Sequence, residues 1–162
     1  MADSKTGLAL WLQDGRVMVS RWTLNTNWER PKPLETIAGS ASHARLASNG
    51  RGVAIAVWQH TVGDIESLRY SRWQHGRGWE TPDVMPGALP RPHDEGGPLD
   101  TTAVRIEVDR DGNARAEWPS GFDADQMQSS TFVPGEGWAR PVDLPLQAAA
   151  PPMPAGSSTA QR

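Results

Sequence analysis

Cysteine is absent from the 162 residues, which excludes disulfides, thiolate metal sites and a cysteine nucleophile. Tyrosine and phenylalanine are almost absent, at one and two copies. No apolar run approaches the ~20 residues a membrane-spanning helix takes. Neither sign of charge dominates: a net charge of −3 and a pI near 5.8 give no basic field for nucleic-acid phosphates or acidic lipid. Helical periodicity is missing, and sixteen Gly with fourteen Pro argue against a helical bundle. No apolar core follows Met1-Ala2-Asp3-Ser4-Lys5, so the expected compartment is the cytoplasm, or a secreted or periplasmic one if a leader has been removed.

What is present is tryptophan, eight copies, and it repeats. Trp11, Trp22 and Trp28 recur as Trp58, Trp73 and Trp79, and again as Trp118, Phe132 and Trp138. Their flanks recur with them. Gly7-Leu8-Ala9-Leu10-Trp11 matches Ala54-Ile55-Ala56-Val57-Trp58 and Ala114-Arg115-Ala116-Glu117-Trp118, and Ser20-Arg21-Trp22 matches Ser71-Arg72-Trp73 and Ser130-Thr131-Phe132. Trp28, Trp79 and Trp138 each stand six residues after the preceding aromatic and three before a proline.

Each repeat reads as strands. Ala-x-Ala-x-Trp alternates with the period of two that a strand imposes, and Asp14-Gly15 is a two-residue hairpin signal. Pro31, Pro82 and Pro141 suit a peripheral strand that can spare an amide. A further strand is expected between repeats, from His43 to Ser48 closed by Asn49-Gly50, and from Ala103 to Val108 closed by Asp109 to Gly112. These units have the size of propeller blades. The expectation is an all-β chain of three four-stranded antiparallel blades over residues 1–146, with repeats near 7–36, 43–86 and 101–145. Residues 147–162 form a Pro/Ala-rich tail expected to be disordered.

The first strands also predict the stacking. Leu8, Leu10, Ile55 and Val57 make the second face of two repeats apolar, whereas Arg115 and Glu117 occupy it in the third. The third repeat is therefore expected to end the array with a wet or polar-partnered face. Three blades do not close a ring of four to eight. Completion by a second copy is the leading expectation, with a complementary subunit or a longer chain as alternatives. Met85 to Asp100, rich in Pro and Gly, lengthens the spacing between first-strand tryptophans from 47 to 60 residues.

Catalytic patterns do not emerge. His43, His60, His75 and His93 are scattered, and there is no Gly-x-Ser-x-Gly elbow, phosphate loop, dinucleotide fingerprint or sialidase-type Ser-x-Asp box. No cofactor, metal or catalytic residue is expected. Asp109-Arg110-Asp111-Gly112-Asn113 has the opening of a calcium loop, but a tight turn explains the same residues. Trp11, Trp58 and Trp118 are expected in the core. Trp22, Trp28, Trp73 and Trp79 are candidates to present ring faces to a ligand, with Arg21 and Arg72 as guanidinium donors.

The Gly/Ala-x-Ala-x-Trp, Ser-Arg-Trp and Gly-Trp-x-x-Pro segments resemble the Trp-rich blade repeats of bacterial propeller proteins, among them the fucose-binding-type lectins. The resemblance spans about residues 7 to 145. It implies rings assembled from short chains, with sugars held between blades by Trp, Arg and Glu. Trp22, Trp28, Trp73, Trp79 and Trp138 match its aromatic positions, while Val19, Tyr70 and Ser129 stand where it has the Glu. The function expected is non-catalytic glycan recognition in inter-blade grooves. The alternative is a protein-interaction subunit that completes a propeller and binds no small ligand.

Overall fold

The computed structural model describes residues 5–88, 91–92, 104–119 and 126–145. The expected disordered tail, and residues 93–100 of the Pro/Gly-rich insertion, lie outside them. Within the described residues the chain is all-β and forms three antiparallel sheets.

Sheet 1 holds β1 (Thr6–Gln13), β2 (Arg16–Thr23), β3 (Asn27–Trp28) and β4 (Lys32–Pro33). Asp14 and Gly15, at φ 50° and 70°, turn β1 into β2 as the sequence signal requires. The short pieces β3 and β4 both pair with β2, so Pro31 interrupts a single outer edge. Sheet 2 is built from β5 (Ser40–Ser48), β6 (Val53–Val62) and β7 (Ile65–Gln74), with β8 (Gly78–Trp79), β9 (Asp83–Val84) and β10 (Arg91–Pro92) along the outer edge of β7. Sheet 3 runs β11 (Arg105–Val108), β12 (Ala114–Pro119), β13 (Met127–Val133), β14 (Gly137–Trp138) and β15 (Val142–Leu144).

One register serves all three sheets. Gly7, Ala9 and Trp11 face Trp22, Ser20 and Met18 across the first hairpin. Ala54, Ala56 and Trp58 face Trp73, Ser71 and Arg69, and Ala114, Ala116 and Trp118 face Phe132, Ser130 and Gln128. The repeated serine has a structural task. Ser20, Ser71 and Ser130 each donate from Oγ to the carbonyl of Glu29, Glu80 or Ala139 at 2.7 Å, which fastens the outer edge piece to its sheet.

The sheets stack with sheet 2 in the middle. Ala56 and Trp58 pack with Val17, Val19 and Leu34 of the first repeat, and Ile55 and Val57 pack with Ala114, Ala116 and Trp118 of sheet 3. β6 is thus buried on both faces, as its two-sided apolar pattern requires. The far face of sheet 3 carries Arg115 and Glu117, ion-paired at 2.9 Å with Arg115 half exposed. Charge stays at the solvent end of the stack, where its desolvation cost is avoided.

Two features depart from three equal units. The strands expected between repeats are the first strands of sheets 2 and 3: β5 pairs with β6, and β11 with β12. Sheet 1 has no such strand among the described residues, and β1 forms its edge. Trp58 and Trp118 are fully buried, but Trp11 is only half-buried, because no sheet lies in front of its face of sheet 1 among the described residues.

Candidate functional site

Alternation along β2 sends Val17, Val19 and Arg21 toward sheet 2, and Met18, Ser20 and Trp22 away from it. Arg21 therefore parts from Trp22 and comes to line a groove with Trp73 and Trp79 of the neighbouring sheet. This groove encloses about 270 Å³ and is also lined by Glu29, Arg30, Lys32 and Arg77. Arg21 Nε donates to Glu29 Oε1 at 2.8 Å, with both side chains partly exposed. Gly78 holds φ 84° at the turn that carries Trp79, a conformation in which a side chain would be strained.

The same gap opens again on the inner side of Trp73. A cleft of about 860 Å³ is lined there by Lys5, Thr6 and Leu8 of the first repeat, Leu46 and Ser48 of β5, the Gly50–Gly52 turn and His75. Trp73, only 4% exposed, lines both spaces, which lie at one end of the gap between sheets 1 and 2 and are together termed the trough. Lys5, Arg21, Arg30, Lys32, Arg51 and Arg77 supply six formal positive charges to its walls, against one carboxylate, Glu29.

Between sheets 2 and 3 the corresponding positions carry packed aromatic rings. Tyr70 stands where Val19 does in the first repeat, and its ring meets Trp138 edge-on at 5.6 Å. Phe132 meets Trp138 at 5.5 Å. Arg72 lies 5.1 Å over the Phe132 ring and pairs with Glu80 at 3.5 Å, only 5% exposed. Burial, joined by the charges of Asp83 and Glu80, pushes the Tyr70 phenol above its ordinary range. One exchange, Val19 for Tyr70, goes far to explain why the first gap is open and the second is not.

The candidate residues thus divide three ways. Arg21, Trp73 and Trp79 meet in the trough; Arg72 and Trp138 lie between sheets 2 and 3; Trp22 and Trp28 lie on the outer face of sheet 1, where Trp28 is 56% exposed. A shallow depression of about 410 Å³ beside Trp28 is lined by Ala9, Trp11 and Pro31.

Asp109, the first residue of the calcium-like segment, spends its carboxylate on its own turn. Its Oδ1 accepts from the Asp111 and Asn113 amides at 2.9 Å, and Oδ2 accepts from the Asn113 side chain at 2.8 Å. The Asn113 side chain, with these amides, holds the Asp109 pKa below its ordinary value. Asn49 makes the matching turn in sheet 2, and its side-chain amide donates to the Asp109 carbonyl at 3.0 Å, tying the two turns together.

Sequence reasoning missed Lys5, Arg30, Lys32, Arg51, His75 and Arg77. None belongs to the tryptophan register; only the stacking of the sheets brings them to one trough. Compared with known proteins, the chain matches no family model, no curated protein and no solved structure.

Proposed function

We propose that the chain is a non-catalytic binding module of β-propeller type, its three sheets being blades, and that the trough between sheets 1 and 2 takes a glycan carrying acidic sugars. The observation that carries this reading is the contrast between the two gaps. The second is packed with aromatic rings, whereas the first stays open and joins Trp73 and Trp79 to a cationic wall. Aromatic rings suit the apolar face of a pyranose, and guanidinium groups suit its hydroxyls and carboxylates. Intrinsic tryptophan fluorescence, titrated with oligogalacturonate and with a neutral oligosaccharide of equal length, tests it. The acidic ligand should quench or shift the emission, and Arg21→Ala or Arg77→Ala should weaken the response with the fold intact by circular dichroism. Silence toward both ligands would remove the glycan reading.

A second reading has its own support. On the outer face of sheet 1, Trp11, Met18, Trp22 and Trp28 occupy the register positions that neighbouring sheets cover in sheets 2 and 3. An apolar face of this kind marks an interaction surface. Completion of a six-bladed ring by a second copy is compatible with ligand binding in the trough, and both rest on the same stacked array.

A further inference from the structure

Glu29 is the one carboxylate that lines the groove between sheets 1 and 2, and it is bonded to Arg21. Arg21 Nε donates to Glu29 Oε1 at 2.8 Å, and the Arg21 Nη2 donates to the same oxygen. Arg30, Lys32 and Arg77 line the same groove and carry no ion pair among the described residues. Of the groove's four cations, Arg21 alone already holds a carboxylate.

The pair is written into the repeat. Arg21 and Glu29 stand at the positions of Arg72 and Glu80 in sheet 2, and of Thr131 and Ala139 in sheet 3. The backbone joins the two positions in the same way each time. The amide of Glu29, Glu80 or Ala139 donates to the carbonyl of Arg21, Arg72 or Thr131 at 2.8 Å. Arg and Glu thus occur on the two sheets that have a further sheet in front of them, and not on sheet 3, which ends the described stack.

The two pairs differ in what covers them. The Arg72 side chain is 6% exposed and lies 5.1 Å over the Phe132 ring. Arg21 and Glu29 are each 38% exposed, in a groove where Trp73 and Trp79 hold the repeat positions of Phe132 and Trp138. An ion pair that wet is weak, and its partners exchange readily.

We infer, on the glycan reading of the trough, that Glu29 is an internal competitor for the ligand's carboxylate and so sets the preference for acidic over neutral sugars. It occupies Arg21 until an acidic sugar takes its place. The exchange asks little of the fold. Ser20 Oγ donates to the Glu29 carbonyl at 2.7 Å and the Glu29 amide stays on Arg21, so the backbone holds while the side chain turns to solvent. A ligand carboxylate replaces one charge-assisted bond with another. A neutral sugar offers Arg21 only hydroxyls against a carboxylate already in place, and the pair stays shut to it.

Glu29→Gln keeps the size of the side chain and removes its charge. In fluorescence titrations it should bind oligogalacturonate about fivefold more tightly than wild type, the upper worth of a part-exposed ion pair. A neutral oligosaccharide of equal length should show no gain, and Glu29→Ala should repeat the result with matching circular dichroism. Loss of bulk charge would also favour an anion, so the same change is made in Arg21→Ala. There Glu29 has no guanidinium to occupy, and its removal should gain less than about twofold, the residue left by a screened surface charge. The difference between the two gains is the coupling of Glu29 to Arg21. Equal gains in both backgrounds, or a gain shared by the neutral sugar, would overturn the inference. Wild type that binds oligogalacturonate as tightly as Glu29→Gln would overturn the role of Glu29 and leave the glycan reading standing. Silence of every variant toward both ligands would remove the glycan reading, and this role with it.

Discussion

Glu35 and Trp58 are joined across the first inter-sheet gap: the indole Nε1 of Trp58 donates to Glu35 Oε2 at 3.2 Å. The same oxygen accepts from Arg69 Nε at 2.5 Å, and Arg69 reaches on to the Pro82 carbonyl at 3.2 Å. Both ionised side chains are over nine-tenths buried. Glu35 belongs to the linker that leaves sheet 1, whereas Trp58 and Arg69 belong to sheet 2, so this cluster bolts the first two sheets together beneath the trough.

Removing one charge of the pair leaves the other buried without compensation. Glu35→Gln or Arg69→Met should cost about 3–5 kcal/mol in urea unfolding. The double variant Glu35→Leu with Arg69→Met, which copies the methionine of the first repeat at position 18, should recover most of that loss. A loss below about 1 kcal/mol for either single change would show an exposed pair.

The same pair sets an acid limit. Burial pushes the Glu35 carboxyl up, but the Ile37 amide, Arg69 and the Thr36 amide outweigh it and hold the pKa below its ordinary value of 4.5. A carboxylate depressed in the folded state contributes stability that is complete above the unfolded value and is lost as pH falls through the folded one. Melting temperatures should therefore fall more steeply below pH 4.5 in the wild type than in the Glu35→Leu, Arg69→Met double variant. Parallel acid limbs would contradict this.

Gly39 enters β5 at φ 145°, and a Cβ there would lie 2.4 Å from the Thr61 carbonyl oxygen and 2.7 Å from His60 Nε2. Gly39→Ala should destabilise the fold more than Gly50→Ala, which carries backbone strain at φ 65° but meets no atom within 4 Å. Thermal denaturation of the two variants side by side gives the comparison.

Tyr70→Val should open the second gap in the image of the first. Loss of the ring from the face of Trp138 should lower stability by about 2–4 kcal/mol and raise acrylamide quenching of the tryptophan emission. If quenching stays at the wild-type level, the gap has collapsed rather than opened.

Much of the fold was legible in the sequence because strand alternation and a repeated core write themselves into residue type. The Ala-x-Ala-x-Trp strands, the Asp14-Gly15 turn, the two-sided burial of β6 and the polar end at Arg115 and Glu117 all stand where the pattern put them. Alternation along β2 parts Arg21 from Trp22 and sets it beside aromatics of the next sheet. What the pattern did not carry was partner choice between elements. The strand from Ser40 to Ser48 looks the same whether it closes the sheet before it or opens the sheet after it. That ambiguity hid the position of β1 at the edge of sheet 1 among the described residues. The buried Glu35–Arg69 pair was hidden for a related reason: neither residue repeats, and a linker glutamate normally stays in solvent. The cationic wall of the trough likewise draws single residues from separate turns.

The proposed pairing of two copies over the tryptophan face of sheet 1 is tested most directly by absolute mass in solution. Light scattering after gel filtration, at two protein concentrations, should return twice 17.6 kDa at both. A mass of 17.6 kDa at both would contradict the account, leaving the face of Trp11, Trp22 and Trp28 without the second copy that it assigns to it.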